Sequence, residues 1–164
     1  CSECHTVPSS VYQSGHIDGS NRARVDFNGP LGTTITAAGT FIPHPAYQYD
    51  SLTCANTFCH GSWRLKKSNS NYPYAYTDSA MTGSNQSPLW TGTSSEAACT
   101  ACHGLPPAGH ASYAVSRCAI CHGAVVNVNG KIIDSTKHMN GKVNYFGEEY
   151  SFGEEYSFGE EHRF

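Results

Sequence analysis

The sequence predicts a mostly irregular fold, a few short helices and β-hairpins organised around something other than its own side chains. Three observations carry that expectation. Leu, Ile, Val and Phe number only 26 of the 164 residues, below the share at which an ordinary polypeptide core forms. Gly, Pro, Ser and Gln number 46, a content usual for chains that bury too little apolar surface to offset the entropy of ordering. Yet the net charge is only −3, where disordered chains usually carry a larger imbalance. The eight cysteines and nine histidines resolve that conflict, and these supply the missing interior.

The cysteines fall in four pairs, Cys1/Cys4, Cys54/Cys59, Cys99/Cys102 and Cys118/Cys121, and the residue after each second cysteine is histidine: His5, His60, His103 and His122. With nine His in the chain, four such coincidences have a chance probability on the order of one in 10⁵, which overrides the usual readings of paired cysteines. A disulfide framework explains the even count but not the histidines, and zinc ribbons give no reason for a histidine after every knuckle. C-x-x-C-H is the attachment signature of c-type haem, in which two thiols form thioethers and the adjacent imidazole reaches the iron. CSECH, CTACH and CAICH have that spacing, while CANTFCH places four residues between its cysteines. The longer loop still brings both sulfurs to one ring edge. Four covalent haems make one per 41 residues, and such large flat apolar groups replace the missing aliphatic core. Ten Tyr and seven Phe suit packing against them.

A sixth ligand sets the chemistry of each iron. Five histidines remain: His16, His44, His110, His138 and His162. Met81 and Met139 are the only thioethers, and Met139 sits beside a better candidate. Bis-histidine ligation by His16, His44, His110 and His138 is therefore expected, with His162 as a spare. Such closed irons disfavour substrate binding and favour electron transfer. The contexts repeat: CHTVP at 4–8 leads to Gly15-His16, CHGLP at 102–106 leads to Gly109-His110, and HIDG at 16–19 matches HMNG at 138–141. These look like remnants of a duplicated two-haem unit.

Along the chain, RARVDF and TTITAAGTF within 22–41, separated by NGPLG, suggest an irregular hairpin. Residues 62–92 are rich in Ser, Asn, Tyr, Gly and Pro without a useful period and read as loop. Thr93 with Glu96 forms a capping-box pattern opening a short helix that carries CTACH. Residues 111–121 are a second helix candidate. AVVNV-NG-KII at 124–133 is the best hairpin signal, because Asn-Gly fits a two-residue turn. The division expected is a tetrahaem domain at 1–144 and an acidic, aromatic hexapeptide-repeat tail at 145–164. That tail reads YFGEEYSFGEEYSFGEEHRF and carries −5 against +2 for the rest. It suits either a flexible acidic segment or an arm that docks its aromatic face on a neighbouring subunit.

Quoted together, CSECHTVP…GHIDG, CANTFCHG, CTACHGLPP…GH and CAICHGAVVNVNGKIID…KHMNGKV resemble the CxxxxCH/CxxCH multihaem c-type cytochromes of metal-reducing bacteria over residues 1–144. Four haems in a small loop-rich subunit also resemble the tetrahaem extracellular cytochrome filaments. That resemblance implies a head-to-tail homopolymer with a continuous haem chain, in which an axial histidine can come from the next subunit; His16 and His162 are the candidates. It implies an electron carrier rather than an enzyme, at the cell surface or outside it, with other redox proteins or extracellular acceptors as partners. The alternatives are a soluble periplasmic shuttle or, less well supported, a multihaem reductase with one open iron. Haem attachment requires export in each case, and the start at Cys1 reads as a processed form. No 18-residue apolar window exists for a membrane helix, and 10 Lys plus Arg against 13 Asp plus Glu give no basic footprint for nucleic acid.

Overall fold

The computed structural model describes residues 2–13, 19, 24–27, 29, 31 and 44–151. Cys1, His16, most of the 22–41 hairpin and residues 152–164 with His162 lie outside them. Regular structure is sparse, as the composition predicts. Six short strands form three antiparallel hairpins: β1 (Ala46–Gln48) with β2 (Thr53–Ala55), β3 (Arg64–Lys66) with β4 (Ala80–Thr82), and β5 (Lys142–Tyr145) with β6 (Glu148–Ser151). One helical element, α1 (Cys118–His122), is a single turn of α-helix prolonging a 3₁₀ turn at Val115–Arg117.

No large side chain is fully buried among the described residues. The interior is thin: Phe27, Cys54, Phe58, Ala80, Met81, Val125 and Tyr145 make up its apolar part. Apolar side chains instead face outward, among them Val11, Trp90, Ile120, Val128 and Ile133. Met81 lies in that small core opposite Leu65, which accounts for one of the two thioethers without a ligand role.

Each hairpin clasps a cysteine motif. Motif four lies under β5–β6, where the amide of Phe146 donates to the carbonyl of Cys121 at 2.7 Å. Motifs two and three meet at the β3–β4 hairpin. Ser84 N–H donates to the Cys102 carbonyl at 2.8 Å and Gln86 N–H to the His60 carbonyl at 2.9 Å. Gly61, at φ 89°, makes that meeting feasible, because a Cβ there would stand 2.0 Å from the Cys102 oxygen. The glycine after CANTFCH is thus a packing requirement. Motif one is held from the other side by Asp26 N–H on the Cys4 carbonyl at 2.9 Å and by the Leu31 amide on the Glu3 carboxylate at 2.8 Å.

Several expectations are corrected. Residues 62–92 are not merely loop, since they contain β3 and β4 with 3₁₀ turns at Lys67–Asn69 and Pro73–Ala75. Three-residue strands are too short to show a period. Thr93 does cap a turn, its side chain accepting from the Ser95 amide, but the 3₁₀ segment is Ser94–Ala97 and Ala98 caps it before Cys99. CTACH is therefore not carried on a helix. Helix is present at 115–122 but not at 111–114. The 124–133 hairpin is reduced to one bridge, Val126 with Ile132. Asn127 Oδ1 accepts from both Asn129 N–H and Lys131 N–H, each at 3.0 Å, and so closes the loop before strands can extend. Arg24–Phe27, the described part of the 22–41 hairpin, forms no strand.

Candidate haem-attachment site

The cysteines of the first three motifs lie close together. Burial pushes the Cys59 thiol up to about 11, and the neighbouring Cys4, Glu3 and Cys102 groups add to that. Burial likewise raises Cys4, Cys54 and Cys102, with Glu3 adding at Cys4 and Cys4 at Cys54. No disulfide joins the seven described cysteines to one another. Among the described residues no three His, Cys, Asp or Glu converge on a point, as zinc would require.

The histidines are prepared in one way. Nδ1 of His5 donates to the Arg24 carbonyl at 2.7 Å, and Nδ1 of His103 to the Gly104 carbonyl at 2.7 Å. His110 does the same to Ala111 at 2.6 Å, and His122 to Asn144 at 2.5 Å. A carbonyl only accepts, so Nδ1 carries the proton and Nε2 keeps its lone pair for a metal. Burial lowers the pKa of His60, His122 and His138, which favours the neutral, ligating imidazole.

Two distal candidates cross over. His138, which follows motif four in sequence, lies beside His103 of motif three, with ring centroids 6.5 Å apart. His110, which follows motif three, is near enough for its charge to lower His122 of motif four, after burial and against the Asn144 hydrogen bond. His110 is placed by a strand-like run against β4: Thr82 N–H donates to Ala108 at 3.0 Å and Ala111 N–H to Ala75 at 2.7 Å. Gly109, at φ 82°, lets that run approach, since a Cβ would stand 2.0 Å from the Ala80 oxygen. His44 is exposed just ahead of β1.

Sequence reasoning did not single out the aromatic neighbours. Trp90 stands edge-on to His5 at 6.1 Å, Trp63 lies 6.3 Å from His103, and Tyr145 is 5.7 Å from His122. No spacing rule links these residues to their histidines; the hairpins bring them together.

A haem fits these residues on three counts. Its iron needs a neutral imidazole with free Nε2, which the carbonyl tethers provide. Its faces need apolar cover, and the chain's own apolar side chains face outward. Its carboxylates need donors. Thr57 Oγ1 in the CANTFCH loop and Asn144 Nδ2 beside His122 are buried polar atoms with no partner in the protein, a state that costs about 1–3 kcal/mol each if left so.

Among comparisons with known proteins, residues 53–103 match the family described as the Geobacter CxxxxCH...CXXCH motif. The match runs through the whole of CANTFCH and CTACH, so the odd four-residue spacing belongs to the pattern. No curated protein and no solved structure matches the chain. The Cys–His signatures and this match indicate covalently bound haem c, and over residues 53–103 the chain is similar to the CxxxxCH/CxxCH multihaem c-type cytochromes.

Proposed function

We propose that this protein transfers electrons through a chain of four closely spaced bis-histidine c-type haems, as the subunit of an extracellular conductive filament. Bound haem supplies a reversible one-electron change at iron. The chain's own residues attach, orient and insulate it. Cys1/Cys4, Cys54/Cys59, Cys99/Cys102 and Cys118/Cys121 hold the macrocycles, and His5, His60, His103 and His122 are the proximal ligands. His138 serves the motif-three site and His110 the motif-four site. His44 and His16, with His162 in reserve, serve the first two or a neighbour's.

The observation that carries this reading is the position of His138 beside His103 of motif three, 6.5 Å between ring centroids. On this reading His110, whose charge acts on His122, closes the motif-four iron in return, so that neither iron is open to a substrate and the two sites form one unit. Close attachment points in motifs one to three extend the same logic toward the other end. The outward apolar side chains support assembly, because a haem chain in so thin a shell leaves ends that another subunit must cover. A head-to-tail cover of that kind propagates unless it closes into a ring.

Spectroscopy and microscopy test the two levels separately. All haems in intact protein at neutral pH should be low-spin and six-coordinate; a stable high-spin fraction near one haem in four would overturn the conductive reading. Electron microscopy of material sheared from cells should show filaments. Monomers alone, with all haems low-spin, would leave the periplasmic shuttle.

A further inference from the structure

We propose that Tyr145, Tyr72 and Tyr150 form a path that discharges oxidising equivalents from the motif-four haem to the protein surface, where Glu148 takes the proton. The alternation of strand side chains assembles it. Tyr145 stands opposite Glu148 and Val143 opposite Tyr150, so Tyr145, Glu148 and Tyr150 share one face of the β5–β6 hairpin. Tyr72, which leads into the Pro73–Ala75 turn, packs on that face. The rings make an unbroken series. Tyr145 is edge-on to His122 at 5.7 Å between centroids, Tyr72 is 4.0 Å from Tyr145, and Tyr150 is 6.1 Å from Tyr72. Exposure rises along the same line: Tyr145 is 6% exposed, whereas Tyr72 and Tyr150 are half-buried.

The hydroxyls say more than packing requires, since phenylalanines would fill the same space. A phenol yields an electron readily only when its proton leaves with it, and that needs a base in hydrogen-bond contact. Tyr150 has one hydroxyl hydrogen and gives it to Glu148 Oε2. Tyr72 is therefore the donor where its oxygen meets that of Tyr150 at 3.0 Å. The order Tyr72, Tyr150, Glu148 is a directed chain ending on an exposed carboxylate. The Tyr145 hydroxyl has its own partner in Tyr74, 2.8 Å away and 64% exposed. Hydrogen peroxide is the oxidant class. Its O–O bond breaks and it becomes two waters by taking two electrons from the path and two protons from solvent. Each electron leaves Tyr150 through the rings of Tyr72 and Tyr145, and the Tyr150 proton passes to Glu148 and on to water. A reductant of the ascorbate class returns one electron and one proton to Tyr150 each time. The inference rests on the proposed reading of His122 as a haem ligand.

The test treats full-length, haem-loaded protein with hydrogen peroxide at neutral pH, freezes it and records electron paramagnetic resonance. A closed iron meets peroxide only when its distal imidazole lets go, so His110→Ala is carried beside wild type. A radical signal is expected, stronger in His110→Ala, and ring-deuterated tyrosine should narrow it. Tyr150→Phe and Tyr145→Phe should each abolish it, and Tyr145→Phe should also hasten bleaching of the haem absorption. Glu148→Gln should weaken the signal by removing the base. Tyr12→Phe, at a 95% exposed tyrosine away from the path, should leave it unchanged. Ascorbate should erase the radical and slow the bleaching, the second only while Tyr145 is present. No tyrosyl radical in either parent protein would overturn the path, as would a radical indifferent to Tyr145→Phe or one that forms equally in haem-free chain. Spectra taken before peroxide keep the two readings apart: irons that are all low-spin, followed by no radical, would spare the conductive reading and sink the path alone.

Discussion

Replacing His138 by alanine should open one iron and leave the other three closed. The rings of His103 and His138 stand 6.5 Å apart, centroid to centroid. An imidazole nitrogen binds a metal at about 2 Å and lies about 1.1 Å from its ring centre, so two imidazoles on opposite sides of one iron are separated by about 6.2 Å. The observed spacing lies near that value, and it is also the spacing of an ordinary edge-on ring contact, so the variant decides between the two. With a shared iron, about a quarter of the haem should become high-spin in His138→Ala, read by electron paramagnetic resonance of the oxidised protein. After reduction the variant should bind one carbon monoxide per chain, and wild type none. His110→Ala should open a different haem, so the double variant should bind two. Measuring all three in a His162→Ala background prevents the spare imidazole from refilling the gap. No carbon monoxide uptake in His138→Ala, or the same uptake in single and double variants, would refute the crossed pairing.

Further outcomes follow from individual contacts. Tyr145→Phe removes the hydroxyl that meets Tyr74 at 2.8 Å and should lower stability by about 1 kcal/mol, read by thermal melting. Gly61→Ala combines a positive φ with a backbone clash at Cys102; about 2–4 kcal/mol should be lost, with a fall in haem incorporation at motifs two and three measurable by mass. Burial raises Tyr76, and hydrogen bonding to Glu148 and Tyr72 raises Tyr150. Groups raised in the folded state favour it fully below their unfolded pKa of about 10, and that contribution is lost as pH rises further. The melting temperature should accordingly decline above about pH 10, and Tyr150→Phe should reduce the decline.

What the sequence made legible was whatever depends on residue identity and short spacing. The four Cys–His motifs needed no structure, and the deficit of Leu, Ile, Val and Phe foretold both the sparse secondary structure and the thin core. The elements resisted for a physical reason. β3 and β4 are three residues each and are held by Gly61, Gly83 and the carbonyl of Cys102 more than by side-chain alternation. Thr93 advertised a helix start correctly, but the 3₁₀ turn it caps stops before Cys99. Asn129-Gly130 marked a real turn, yet the Asn127 side chain closes the loop within one bridge. The position of His138 beside His103 of motif three was beyond reach. The two residues are far apart in the sequence, and no local pattern links them.

The carbonyl tethers on the histidines have a consequence for how such a chain can change over time. His5, His103, His110 and His122 are each oriented by a main-chain oxygen, from Arg24, Gly104, Ala111 and Asn144. Every amino acid carries that oxygen. A carboxylate orienting group could be lost in one mutation, but here the tether itself asks nothing of the side chains at 24, 111 and 144 so long as the backbone path is kept. Where these four imidazoles bind iron as proposed, their basicity is written into the course of the main chain. The tethers then depend on few identities: the histidines themselves, and the glycines at 61 and 109 that let the backbone come close. The exposed surface can drift without disturbing how these imidazoles are held.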